Sequence, residues 1–228
     1  MIKYVLIDLD DTIFDFHKAE AAALTGMLMQ FGIAPSESLK KRYSEINKSQ
    51  WELLEKKLKT REQILVDRFS IFFSEIGADI DSLTARTIYE DLLGNGHFFI
   101  DGAEKLLDDL YGKYRLYLAS NGTKTVQTKR IALSGIAKYF DEIFISQSIG
   151  YDKPSKEYFE KCFSMIPEFS KDEAIIIGDS LSSDIKGGIN AGIKTCLYNP
   201  SKKTNDSDIV PDFEITDLSE IPSLLERI

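Results

Sequence analysis

The chain has 228 residues, 43% hydrophobic and 29% charged, which suits one large globular domain or a domain with a substantial insertion and excludes wholesale disorder or a multi-domain array. Its 37 acidic against 28 basic residues leave a formal charge of −9, which argues against general affinity for nucleic acid polymers or anionic membranes. Cys162 and Cys196 stand alone in apolar contexts and indicate neither a disulfide framework nor a zinc site; with no signal-peptide pattern and no apolar run near the ~20 residues that span a bilayer, the expectation is a soluble, cytoplasmic protein.

Tyr4-Val5-Leu6-Ile7 is a short unbroken apolar run, the pattern of a strand buried on both faces of a parallel sheet. From Phe16 to Phe98 the periodicity turns helical: Ala21, Leu24, Leu28 and Phe31 recur at helix spacing, as do Leu65, Phe69, Phe72 and Ile76. Pro35 suits a helix start, Thr60 with Gln63 a capping box, and Gly32 and Gly77 helix ends. Trp51, Phe69, Phe72 and Phe73 read as helix core, and Lys56-Lys57 as solvated surface. Ala103, Leu106, Leu107 and Leu110 form another helical stripe. Leu116-Tyr117-Leu118-Ala119 is the second strand, followed by a helix from Thr123 to a stop at Gly135. Ile143-Phe144-Ile145 and Ala174-Ile175-Ile176-Ile177 give two more strands, Thr195-Cys196-Leu197-Tyr198 a weaker fifth. Gly187, Gly188 and Gly192 are assigned to helix packing and termination, and a polar loop at 201–208 precedes a short strand and helix.

Strands alternating with helices predict an α/β core with a Rossmann-like parallel sheet, residues 1–15 and 99–228, interrupted after its first strand by an all-helical insertion, 16–98. Asp15-Phe16 and the stretch from Gly94 to Phe99 are where the insertion would pivot. His17 and His97, near those crossings, read as structural.

Ligands of open α/β sheets bind beyond the carboxyl ends of the strands. Those ends carry Asp8-Leu9-Asp10-Asp11-Thr12, then Ser120-Asn121-Gly122, then Lys153-Pro154 after a loop, then Gly178-Asp179-Ser180 with Asp184 beyond. In extended chain Asp8 and Asp10 project to one side, and with Asp179 they would form a dense negative cluster. Such a cluster is tolerated around a hard cation, and oxygen-only ligands suit Mg²⁺. Lys153, the Ser120 hydroxyl and the backbone amides at Asn121 and Gly122 supply donors for an anion beside it. Cation and anion together suggest phosphate. One carboxylate could attack phosphorus to form an aspartyl-phosphate while a second protonates the leaving alcohol and later activates water. Gln127 and Lys129-Arg130, on the following helix, read equally as substrate contacts or as an exposed face. No G-x-S-x-G, Walker loop or H-E-x-x-H is present, and Gly94-Asn95-Gly96 lacks the rest of a dinucleotide fingerprint.

In order and spacing, these four strand-end groups resemble the motifs of the haloacid dehalogenase-like (HAD) hydrolases, and the insertion resembles that superfamily's helical C1 cap. The resemblance implies that Asp8 is the nucleophile and Asp10 the general acid–base. It implies that Ser120 binds the phosphoryl group with Asn121 and Gly122, and that Lys153 neutralises it. Mg²⁺ would be held by Asp8, the backbone carbonyl of Asp10, and Asp179, with Asp184 orienting its waters or Lys153. Asp10 resembles the phosphatases, since dehalogenases of the family lack that acid. Asp15 to Glu20, Gly96 to Gly102, and Ser120-Asn121-Gly122 with Gln127 are similar to the bacterial 5′-nucleotidase branch, which implies a nucleoside monophosphate, often a pyrimidine one, as substrate. Phosphoglycolate or sugar-phosphate hydrolysis is the alternative within the superfamily. A receiver-type phospho-accepting domain is the rival outside it, but leaves the helical insertion without a use.

Overall fold

The computed structural model describes residues 1–228, which divide into two compact units: Met1–Asp15 with His97–Ile228, and Phe16–Gly96. His97 and Phe98 therefore lie with the α/β unit rather than closing the helical one.

In the α/β unit, strands β1 (Tyr4–Ile7), β2 (Arg115–Ser120), β3 (Glu142–Ile145), β4 (Ala174–Gly178), β5 (Lys194–Tyr198) and β6 (Phe213–Ile215) form one sheet in the order β3-β2-β1-β4-β5-β6. Every pairing is parallel. The helices of this unit are α5 (Ala103–Leu110), α6 (Lys124–Ser134), α7 (Ser146–Ile149), α8 (Lys156–Ser164), α9 (Lys186–Ala191) and α10 (Ile221–Arg227), counted after the four of the other unit. The alternation of side chains along a strand explains the apolar runs. Val5, Ile7, Leu116, Leu118, Ile175 and Ile177 pack with Leu106, Leu107 and Leu110 of α5 and with Leu224 and Leu225 of α10. Tyr4, Leu6, Tyr117, Ala119, Ala174 and Ile176 face the other way, onto Tyr158, Phe159, Cys162 and Phe163 of α8. Both faces are thus covered, as a parallel sheet requires. β1 sits where the strand order reverses, between β2 and β4, which makes its carboxyl end the topological switch point of the sheet.

The close fit of α9 on the sheet depends on glycine. A Cβ on Gly188 would meet Ile176 Cγ2 and Thr195 Cγ2, each at 2.6 Å. Alanine in a helix is favoured over glycine by about 1 kcal/mol, whereas forcing a methyl into a packed core costs about 1–3 kcal/mol. Gly188→Ala is therefore expected to destabilise the protein by up to about 2 kcal/mol in chemical denaturation, against the helix-propensity ranking.

The helical unit contains α1 (Phe16–Gln30), α2 (Glu37–Glu55), α3 (Arg61–Glu75) and α4 (Ser82–Leu93). The starts of α2, α3 and α4 are capped by side chains: Ser36 accepts from Leu39 N, Thr60 and Gln63 form a reciprocal capping box, and Asp81 accepts from Thr84 N. Pro35 stands one residue ahead of its cap. Gly32 and Gly77 follow α1 and α3 at φ 72° and 67°, the left-handed backbone that ends a helix. Tyr43, Phe69, Phe72, Phe73 and Tyr89 are fully buried and in ring contact, so these aromatics are the core of the unit. Trp51 packs on Leu54, Ile64 and Leu65, with the Arg61 guanidinium over its ring. No helix is long and apolar enough to cross a membrane.

Candidate active site

Asp8, Lys153, Asp179 and Asp184 come together beyond the carboxyl ends of β1 and β4, and Ser120 and Asp10 are joined to one another through Gln127. The Asp8 amide donates to Ile177 O at 2.9 Å, tying the residue to the end of β4 and holding its side chain in a buried position. The chain then turns. Leu9 O accepts from both Ile13 N and Phe14 N, at 2.9 and 2.8 Å, and Asp11 adopts a left-handed φ of 57°, a conformation Asp tolerates better than most residues. Outgoing and returning chain are stitched together by Asp15 N to Phe98 O and Ile100 N to Ile13 O.

That turn corrects the extended geometry expected of Asp8 and Asp10. The Asp10 carboxylate does not join Asp8 and Asp179; it is directed onto α6, where Gln127 and Arg130 donate to it. The carboxylates that gather are Asp8, Asp179 and Asp184, with ligand oxygens within 4.8 Å of one another. Asp184 is brought in by a π-helical turn, Leu181–Ile185, in which the amides of both Asp184 and Ile185 donate to Ser180 O. Ser180 Oγ accepts from Ser183 N, and Ser180 N returns a bond to Asp184 Oδ2 at 3.1 Å.

Lys153 stands at the centre of the site, 1% exposed. Its Nζ donates to Asp8 Oδ1, Asp184 Oδ1 and Ala119 O, each at 2.6 Å, which uses all three ammonium protons. The loop that carries it is held by Asn121, whose Oδ1 accepts from Lys153 N at 2.8 Å and whose Nδ2 donates to Lys153 O at 2.9 Å. The Asn121 side chain therefore fixes the lysine's backbone. Gly122 N, read from sequence as an anion donor, donates to Ser120 Oγ at 3.1 Å, and Gln127 Nε2 donates to the same oxygen at 2.9 Å. With both lone pairs of the hydroxyl occupied, its own proton is left to donate.

The electrostatics are those of a site short of positive charge. Burial raises the Asp8 pKa against the pull of Lys153, and the neighbouring Asp184 and Asp10 raise it further. Asp179 is held well above the usual carboxylate range, by burial first and then by Asp8 and Asp184. Lys153 is raised despite its own burial, because Asp184 and Asp8 outweigh that effect. Three carboxylates share one ammonium, and the ligand atoms are all oxygens, so the set fits a hard divalent cation of the Mg²⁺ type. Asp184 already has Oδ1 on Lys153 and Oδ2 on Ser180 N, which leaves Asp8 Oδ2 and the Asp179 carboxylate as the side-chain donors suited to such an ion. The hydrogen bonds of the turn use the carbonyls of Leu9 and Phe14, and Asp10 O lies between them in sequence.

These residues lie on a fold with well-defined relatives. Residues 5–198 match the family model for haloacid dehalogenase-like hydrolases. The chain belongs to that family. Among curated HAD relatives, YfnB of Bacillus subtilis, named as a HAD-hydrolase, is 40% identical over 97% of this chain and 94% of its own length. The pyrimidine 5′-nucleotidase PynA of Streptococcus pneumoniae is 38% identical over 99% of this chain and 95% of its own. The pyrimidine 5′-nucleotidase YjjG of Escherichia coli is 26% identical, covering 97% of each chain. The crystal structure of YfnB bound to magnesium, described as revealing interdomain movement, superposes with a TM-score of 0.94 over 98% of both chains. The six-stranded parallel sheet and the helical insertion after β1 are thus the HAD fold.

The sequence left the roles of Gln127 and Arg130 open, and the structure buries both, at 1% and 0% exposure, against Asp10. A signal existed: on α6 they are interleaved with the buried Val126 and Ile131 at four-residue spacing, so they lie inside an apolar stripe rather than opposite it. Lys129 of the same helix is intermediate in exposure, as a neighbouring position should be. His17 is exposed in the first turn of α1, and burial pushes the thiols of Cys162 and Cys196 up to about 12, which makes both poor nucleophiles.

Proposed function

We propose that this HAD hydrolase is a Mg²⁺-dependent phosphomonoesterase acting through an aspartyl-phosphate on Asp8, with pyrimidine nucleoside monophosphates as its substrates. The observation that carries the reading is Lys153, buried between Asp8 and Asp184 at 2.6 Å from each, beside an aspartate two residues after Asp8 that is available for proton transfer. Asp8 attacks phosphorus as the phosphorus–oxygen bond to the leaving alcohol breaks, and Asp10 gives that alcohol its proton. Water then attacks the aspartyl-phosphate, Asp10 takes the water's proton, and Asp8 and inorganic phosphate are released. Lys153 and the Ser120 hydroxyl bind phosphoryl oxygens and stabilise the charge that builds on them. Mg²⁺, held by Asp8, Asp179 and the Asp10 carbonyl, would supply further charge neutralisation and orientation of the phosphoryl group.

Nucleotide specificity is supported by the names of PynA and YjjG, which match this chain over nearly its whole length. A panel of phosphomonoesters assayed with Mg²⁺ tests both levels. UMP, CMP and dTMP are expected to be turned over faster than purine nucleotides, phosphoglycolate or sugar phosphates, and chelation with EDTA is expected to abolish turnover until Mg²⁺ is restored. Faster turnover of sugar phosphates or phosphoglycolate would overturn the nucleotidase assignment, and full activity in EDTA would overturn the metal requirement.

A further inference from the structure

Asp10 is gripped from behind by a residue that cannot reach substrate. Arg130 is completely buried, while the Asp10 side chain is 28% exposed. Arg130 Nη1 donates to Asp10 Oδ1 and, at 2.9 Å, to Gln127 Oε1. Because a guanidinium only donates, Gln127 must present its oxygen to Arg130 and its amide protons elsewhere. Those protons go to Asp10 Oδ2 at 2.6 Å and Ser120 Oγ at 2.9 Å. Each carboxylate oxygen of Asp10 is thus fixed by one donor on the α6 side, and each keeps its second lone pair for a proton and a reacting oxygen. The Arg130 guanidinium also lies 5.1 Å from the centroid of Phe14, the residue that closes the turn after Asp10. Burying a guanidinium is costly unless its partners are well placed, and here they include the Asp10 carboxylate and the glutamine oxygen whose amide holds that same carboxylate.

We infer that Arg130 is a positioning residue for the proton-transfer step. It locks the rotamer of Asp10 directly and through Gln127, and the same glutamine sets the distance between Asp10 and the serine proposed to bind the phosphoryl group. The inference rests on the proposed function, since it presumes that Asp10 protonates the leaving group.

Leaving-group dependence separates positioning from mere structural support. An alkyl phosphate such as UMP leaves as a basic alkoxide and needs the proton; p-nitrophenyl phosphate leaves as a stabilised phenolate and needs it little. The ratio kcat/KM covers only steps up to formation of the phosphoenzyme, so the later base role of Asp10 does not enter it. General acid catalysis contributes roughly 10²–10⁴-fold, and misplacement of a catalytic group by about 1 Å loses on the order of 10²-fold. For Arg130→Met, kcat/KM for UMP is expected to fall by about 10- to 100-fold and that for p-nitrophenyl phosphate by less than about threefold. Arg130→Lys keeps the charge but neither the reach of Nη1 nor the planar face over Phe14, and is expected to show the same selective loss. Gln127→Leu leaves the Arg130–Asp10 pair in place and serves if the Arg130 variants fail to fold; it is expected to show a smaller selective loss. Asp10→Asn gives the reference pattern. Equal fractional losses for the two substrates, or no loss, in the folded variants would overturn the positioning role. A wild-type protein inert towards both substrates with Mg²⁺ would instead overturn the proposed function.

Discussion

Asp8→Asn is expected to lower hydrolysis of every phosphomonoester by about 10⁴-fold or more, the scale on which removal of a nucleophile acts in covalent catalysis. The fold is expected to survive. Asparagine keeps an oxygen for Lys153 Nζ, whose bond to Asp8 Oδ1 is 2.6 Å. In the metal-free protein the variant is expected to melt no lower than the wild type. Burial raises the Asp8 pKa above its unfolded value, so ionised Asp8 opposes folding. That penalty sets in as pH rises through the ordinary carboxylate range near about 4 and is present at neutral pH; the amide removes it. Added Mg²⁺ is expected to stabilise the wild type and to stabilise the variant less, because a ligand that binds only the native state raises its stability. Rates together with melting curves in EDTA and in Mg²⁺ check all three statements, and a variant with appreciable turnover would remove Asp8 from the reaction.

Lys153→Met has the second large effect, on stability as well as rate. The substitution leaves Asp8 and Asp184 facing one another with no cation between them and removes the hydrogen bond that Nζ donates to Ala119 O. Removing one member of a buried ion pair costs about 3–5 kcal/mol, and loss of one donor to developing charge lowers kcat by about 10²–10³-fold. Chemical denaturation and steady-state rates measure the two effects. A second change, Asp184→Asn, is expected to recover part of the stability and none of the rate, since it relieves the charge without restoring a phosphoryl ligand. Wild-type stability in the single variant would contradict the packing described around Nζ.

The strands were legible because burial on both faces writes them as unbroken apolar runs, and Tyr4–Ile7 and Ala174–Gly178 stand in the structure almost as those runs suggest. The helical insertion was legible from periodicity and from caps such as Thr60 with Gln63. The four-residue α7 was not, because one turn of helix is too short to show a period. In the site, the residues were visible but their grouping was not. Strand alternation pairs Asp8 with Asp10, yet the chain turns after Leu9, and it is the π-helical turn after β4 that delivers Asp184 instead. No local pattern announces such a turn. Arg130 was obscured for a different reason: its partner Asp10 lies 120 positions away, so a charged helix residue looked as much like solvated surface as like part of the site.

The most direct measurement is the phosphoenzyme itself. Wild-type protein with Mg²⁺ and ³²P-labelled substrate, quenched in acid within the first turnover, is expected to carry label that is stable in acid, released by hydroxylamine and confined to the peptide containing Asp8. Phosphate release at the normal rate with no such label at any quench time, or label on a residue other than Asp8, would contradict the aspartyl-phosphate reading.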